Sequence, residues 1–254
     1  MVAVRKERRA PLVVLERPRE GVGVVAMRDA DGHNAMSEPF VHELCARLAE
    51  AGRDPELRCI VLAGLPEIFS AGASAALLRD LARGEATPAD IVLPKVVLDL
   101  PIPVVAAMEG AAVGGGFALG CCADLVLIAR ESRYGLSFMN MGFTPGMGTT
   151  ELLSHVLSPA IAAELLLGGE AKKGAWFEGR SGFNAILPRS EVLPRALDLA
   201  ARIAEKPRLS LELLRRTLTL PRRRAFERTH ARDAHAPPEL RRAGPARAHR
   251  GAPC

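Results

Sequence analysis

The chain has 254 residues, 48% of them hydrophobic, and carries a formal net charge of +5; that length and apolar content can bury one large α/β core without covalent staples. Cys45, Cys59, Cys121, Cys122 and Cys254 form neither an even framework nor a C-x-x-C pair, which excludes a disulfide scaffold and a zinc ribbon and fits a reduced, cytoplasmic setting. The opening MVAVRKERRA lacks the apolar run of an export signal, and the most apolar stretch, 102–129, is cut by Glu109 and Asp124 into 14 uncharged residues, short of the roughly 20 that span a bilayer.

In chain order, Leu12–Glu16 and Val22–Met27 are rich in β-branched residues and turn through Pro18 and Gly21, which predicts a hairpin. A helix follows, with Ser37 as N-cap, Val41, Leu44, Cys45 and Leu48 at helical spacing, and Gly52 placed to end it. Arg58–Ala63 is a short apolar run of the kind expected of a buried strand. Helical stretches are expected near Ala73–Arg83 and Ile91–Leu98, a second buried strand over Ile102–Met108, a helix opened by the glycine-rich Gly110–Gly120, and a third strand over Asp124–Ala129. Repeated strand–helix–strand crossovers of one hand should wind around a single core. From Gly146 to about Leu220 the pattern is mainly helical, with breaks at Pro159, Pro188, Pro194 and Pro207.

The charge is concentrated at the end. Pro221–Cys254 holds nine arginines against three acids, so the rest of the chain is slightly acidic. Such a tail suits nucleic acid, a membrane or an acidic protein, or it is simply solvated and partly disordered.

Two segments invite a site: Phe69-Ser70-Ala71-Gly72-Ala73-Ser74 and Gly110-Ala111-Ala112-Val113-Gly114-Gly115-Gly116, each following a strand. Glycines there permit either tight helix–sheet packing or close approach of a ligand to unpaired N–H groups, which suit a negatively charged oxygen. One N–H from each segment would make an oxyanion hole. Neither a phosphate loop, nor a dinucleotide fingerprint, nor a G-x-S-x-G elbow is present.

The run from the hairpin through His33-Asn34-Ala35-Met36, FSAGAS (69–74), PIPVVAAMEGAAVGGG (101–116), CADLVLIARESRYG (122–135) and GFTPGMGTTELL (142–153) resembles the enoyl-CoA hydratase/isomerase (crotonase) superfamily over roughly residues 12–220. The resemblance implies an α/β fold: a spiral of ββα units over 1–190, then a C-terminal helical trimerisation region with the basic tail over 191–254. It implies an oxyanion hole made by the N–H groups of Ala73 and Gly115, flanked by Ala71, Gly72, Gly114 and Gly142, with no metal or organic cofactor. Donors of this type are worth about 3 kcal/mol each when one is removed.

Hydratases of the superfamily use two glutamates; the matching positions here hold Ala118 and Phe138, so water addition lacks its acid and base. Loss of CO2 from an acyl thioester needs only an enolate and a dry pocket, and an apolar Phe138 would favour it. SFMNMGFTPGMGTT (137–150) and EKPRLSLELLR (205–215) resemble the decarboxylating members of polyketide β-branching cassettes, which convert 3-methylglutaconyl to 3-methylcrotonyl on an acyl carrier protein. That resemblance implies a carrier-protein partner for the basic tail, a homotrimer, and no nucleic-acid or membrane partner. The rivals are an isomerase or hydratase on CoA thioesters and a non-catalytic thioester-binding relative.

Those decarboxylases place a lysine after the FSAGAS segment and a histidine near the C-terminus. Ala75–Ala89 contains no lysine; Arg79 and Arg83 could pair with a carboxylate but donate a proton poorly, and Lys95, the nearest lysine, reads as a surface residue first and as a catalytic stand-in second. His230 falls where the histidine is expected, either over the pocket or solvated with His235 and His249. His42, His155, Tyr134 and Trp176 read as packing or surface residues, and the adjacent Cys121 and Cys122 as a poor metal pair.

Overall fold

A computed structural model describes residues 10–83, 85–86, 92–142 and 144–235, without the side chains of Ala82 and residues 230–235. The tail beyond His235 lies outside them. The hairpin of β1 (Val13–Arg19) and β2 (Val22–Met27) is antiparallel and leads into α1 (Glu38–Arg53). Then strands come in consecutive pairs: β3 (Cys59–Ala63) with β4 (Ile68–Ser70), β5 (Val104–Met108) with β6 (Ala111–Val113), and β7 (Leu125–Ala129) with β8 (Arg133–Gly135). The first member of each pair enters a six-stranded sheet of order β1-β2-β3-β5-β7-β10, the second a four-stranded sheet β4-β6-β8-β9. β9 is Ala171–Lys173 and β10 is Ala185–Leu187. Helices α2 (Ala75–Arg83) and α3 (Leu93–Asp99) follow the first pair and α4 (Gly115–Cys121) the second, so the chain is a spiral of ββα turns, as its sequence implies.

The apolar runs of β3 and β5 are continuous because both faces of their sheet are buried. Ile60, Leu62, Val104, Ala106 and Met108 point into the core between the two sheets. Cys59, Val61, Ala63, Val105 and Ala107 point the other way, against Val192, Ala196, Ala200 and Ala204 of α7 (Arg189–Ala204). Tyr134 and Trp176 are packing residues: the Tyr134 hydroxyl donates to the Met108 carbonyl at 2.6 Å and accepts the Ala129 N–H at 2.8 Å, while Lys172 and Arg180 flank the Trp176 ring.

Three expectations are corrected and one is refined. Gly52 does not stop α1, which runs to Arg53; a Cβ there would meet Leu100 at 3.0 Å and Pro101 at 3.2 Å, so the glycine serves close packing. The stretch after Gly146 is mainly helical as expected, with α5 (Thr149–Leu152) and α6 (Pro159–Gly168), and it also supplies the short strands β9 and β10. Pro194 lies inside α7, whose buried alanine face compensates for one missing helical bond. Finally, the basic segment from Pro221 to His235 continues α8 (Arg208–His235) rather than leaving the fold. Arg215 and Arg222 both reach Asp124, at 2.6 and 2.5 Å, and Ala225 and Phe226 are buried, which holds this helix on the core despite Pro221. Among the described residues no helix is long and apolar enough to cross a membrane.

Candidate active site

The FSAGAS loop is held from below by the segment before α1. Asn34 is fully buried with a positive φ of 51°, and its Nδ2 donates to the carbonyls of Phe69 at 3.0 Å and Met27 at 3.3 Å. The Ser70 hydroxyl donates to the Asn34 carbonyl and accepts the Gly72 N–H. Ala71 N–H donates to the His33 carbonyl at 3.0 Å and Met36 N–H to the Gly72 carbonyl at 2.7 Å. Together these bonds, made by backbone groups and by the buried side chains of Asn34 and Ser70, hold the backbone around Ser70–Gly72.

The second glycine segment divides into two jobs. A Cβ on Gly116 would come within 2.5 Å of the Ser70 carbonyl oxygen, and one on Gly120 would overlap the Met108 sulfur, so these glycines let α4 press against β4 and β5. Gly114, at φ +55°, turns the chain into α4, and Gly115 is that helix's first residue, so its N–H has no partner within the helix. Gly72, at φ +82°, abuts this turn: its Cβ would stand 2.6 Å from the Val113 carbonyl and 3.2 Å from the Gly115 nitrogen. Tight packing and an open N–H pair thus coexist in one glycine run.

Both segments border a cavity of about 90 Å³. Ala71 and Ala73 line it from one turn of the spiral and Gly114 and Gly115 from the next; Leu78 and Leu81 of α2, Phe138, and the methionines 36, 141 and 147 close it. Among the described hydrogen bonds none uses the N–H of Ala73 or Gly115. No carboxylate, histidine, lysine or arginine lines the cavity among the described residues; its polar side chains are Ser137 and Thr144.

Other residues singled out in the sequence fall elsewhere. Arg79 and Arg83 occupy the exposed side of α2, Arg83 near Glu85, while Leu78 and Leu81 turn inward. Gly142 caps a short 3-10 turn (Met139–Met141) at φ +73° without lining the cavity. Lys95 pairs with Asp99 on α3, and His42 is exposed on α1. Ala118 lies buried in α4. His230 belongs to α8 with its side chain outside the described residues, as are Phe143 and His249 entirely. Asn34, Ser70 and Ser137 were not singled out by sequence reasoning, although each sits in a segment that carries the resemblance.

The pattern of the family described as enoyl-CoA hydratase/isomerase matches residues 17–239. The chain is 38% identical over 199 residues to the bacillaene synthase decarboxylase PksI of Bacillus subtilis, covering 78% of this chain and 80% of that protein. Among solved structures it is similar to a dehydratase/decarboxylase enzyme couple involved in polyketide β-branching, with 36% identity, a TM-score of 0.84, and coverage of 88% of this chain and 91% of the other. It is also similar to the ECH2 decarboxylase domain of CurF from Lyngbya majuscula, with 31% identity, a TM-score of 0.81, and coverage of 92% and 98%. With a family pattern over most of its length, the ββα spiral and these relatives, the chain belongs to the enoyl-CoA hydratase/isomerase family.

Proposed function

We propose that the protein decarboxylates a 3-methylglutaconyl-type thioester on an acyl carrier protein to the 3-methylcrotonyl thioester, in polyketide biosynthesis. The observation that carries this reading is a cavity with two unused N–H groups and no acid or base among its described lining residues. Such a site can stabilise an enolate but has no described group to activate water. The similarity to decarboxylases of polyketide assembly supports the substrate class.

In this mechanism the thioester oxygen accepts hydrogen bonds from Ala73 and Gly115, and the substrate's free carboxylate loses water as it enters the apolar chamber beside Phe138. The bond to the carboxylate carbon breaks, CO2 leaves, and the electron pair moves through the conjugated acyl chain to the thioester oxygen. A proton then returns to carbon, with His230 of α8 as the candidate donor. Ala71, Gly72 and Gly114 shape the hole, Gly142 shapes the loop beyond Phe138, and Arg79 and Arg83 meet the carrier's acidic surface from outside the pocket. The basic tail offers the same carrier a second contact. The protein works in the cytoplasm as a homotrimer, in which the region from 191 onward carries assembly apart from the spiral core of 1–190.

Incubation with carrier protein bearing the 3-methylglutaconyl group, followed by mass spectrometry of the acyl chain, tests this directly. The expected result is loss of one CO2 faster than without enzyme. An unchanged mass defeats the reading; hydration of a crotonyl thioester would replace it with a hydratase, and thermal protection by thioesters without turnover would replace it with a binding protein.

A further inference from the structure

A substrate with a free carboxylate enters an apolar cavity at high cost unless something there donates to it. On the reading above, the N–H groups of Ala73 and Gly115 are engaged by the thioester oxygen, and no cation lines the cavity among the described residues. Two hydroxyls remain, Ser137 and Thr144. Thr144 is exposed. Ser137 is half-buried just beyond β8, between Leu136, which is buried, and Phe138.

Its position relative to the donors is defined by Gly114. A Cβ built on Gly114 would meet one atom within 4 Å, the Ser137 Oγ, at 3.8 Å. The hydroxyl therefore faces, across open space, the residue that immediately precedes the Gly115 N–H. It has no hydrogen-bond partner among the described residues, although the side chains that line the cavity with it, Thr144 aside, are apolar.

We propose that Ser137 is the residue that receives the substrate's free carboxylate and so selects thioesters of unsaturated dicarboxylic acids over simple enoyl thioesters; this rests on the decarboxylase reading. The choice of a neutral hydroxyl suits the chemistry. One O–H···O⁻ bond fixes the carboxylate's position, yet stabilises the charge far less than an ammonium or guanidinium would, so the ground state stays high. The CO2 that leaves is uncharged and no longer needs the bond.

The test compares wild type, Ser137→Ala and Ser137→Thr in two steady-state readouts. One is the Michaelis constant for carrier protein bearing the 3-methylglutaconyl substrate; the other is inhibition by carrier protein bearing the 3-methylcrotonyl product. Ser137→Ala is expected to raise the Michaelis constant about 10- to 100-fold, the range for one hydrogen bond to a charged group. Inhibition by the product, which lacks the carboxylate, stays within about twofold, and Ser137→Thr, which keeps the hydroxyl, stays close to wild type in both. An unchanged Michaelis constant in Ser137→Ala, or equal weakening toward both thioesters, overturns the assignment while leaving the decarboxylase intact. Absence of turnover in wild type overturns both.

Discussion

Asn34 and Ser70 interlock: the Ser70 hydroxyl donates to the Asn34 carbonyl at 2.7 Å, and the Asn34 side chain holds the carbonyl of Phe69, Ser70's neighbour, at 3.0 Å. Two loops distant in sequence thereby become one rigid support for Ala71–Ala73. Asn34→Ala leaves the Phe69 and Met27 carbonyls and the Asp29 N–H without this partner, and places alanine at a positive φ. We expect a loss of about 2–3 kcal/mol in urea unfolding, with turnover falling further than stability explains.

Gly115→Pro isolates one N–H. Proline is tolerated at the first position of a helix, where its missing donor breaks no helical bond. Its Cβ would stand about 3 Å from the sulfurs of Met36 and Met147, side chains flexible enough to yield. Circular dichroism should be unchanged and kcat should fall roughly 100- to 1,000-fold. Near-normal turnover in a folded variant would remove Gly115 from the mechanism.

Phe138→Glu reintroduces a carboxylate at a hydratase position. With no described cation lining the cavity to meet it, the new charge repels the substrate's carboxylate and draws in water. Decarboxylation should fall at least about tenfold, measured on the carrier-bound substrate, without a gain in hydration because Ala118 still supplies no partner.

Asp124 anchors α8. Its carboxylate accepts from Arg215, whose side chain is 4% exposed, from Arg222, and from the Val104 N–H at 2.9 Å. Arg215 also donates to the carbonyls of Val97, Leu98 and Leu100, so removing the aspartate strands a buried guanidinium among acceptors. Asp124→Ala should cost about 3–5 kcal/mol, seen as a lower Tm.

The thiols offer a check on packing. Burial pushes Cys59 and Cys122 up to about 12 and Cys121 well above its ordinary value, while half-buried Cys45 is also raised by burial. At pH 8 a thiol of pKa about 12 is thiolate in only ~1 molecule in 10,000. A thiol-disulfide reagent should therefore spare these three buried positions in native protein and label them once urea unfolds it; mapping of labelled peptides distinguishes them from Cys45 and Cys254.

The long strands and their helices were legible because their signals are local: β3, β5 and β7 are unbroken apolar runs, and α1 repeats leucines at helical spacing. The second sheet was not, since β4, β6, β8 and β9 have three residues each, too few to show a period, and exist because neighbouring turns of the spiral supply their partners. Helix α8 past Pro221 was hidden by its composition; what orders it is Asp124, contributed from before β7. In the site, the glycines announced a backbone feature, whereas Ser137 carries no pattern and becomes visible only once Gly114 is placed opposite it.

Gly72 against Val113 and Gly116 against Ser70 have a further consequence for the N–H pair. Gly72 meets backbone alone, and Gly116 meets the carbonyl oxygen, Cβ and Oγ of Ser70, so a glycine faces the neighbouring layer of the spiral at both places. The gap between the Ala73 and Gly115 nitrogens is thus gauged by hard contact, the way a shim sets a jaw. A methyl group added at Gly116, on the far side of α4's first turn from the cavity, would wedge the layers apart and open the jaw without touching whatever it grips.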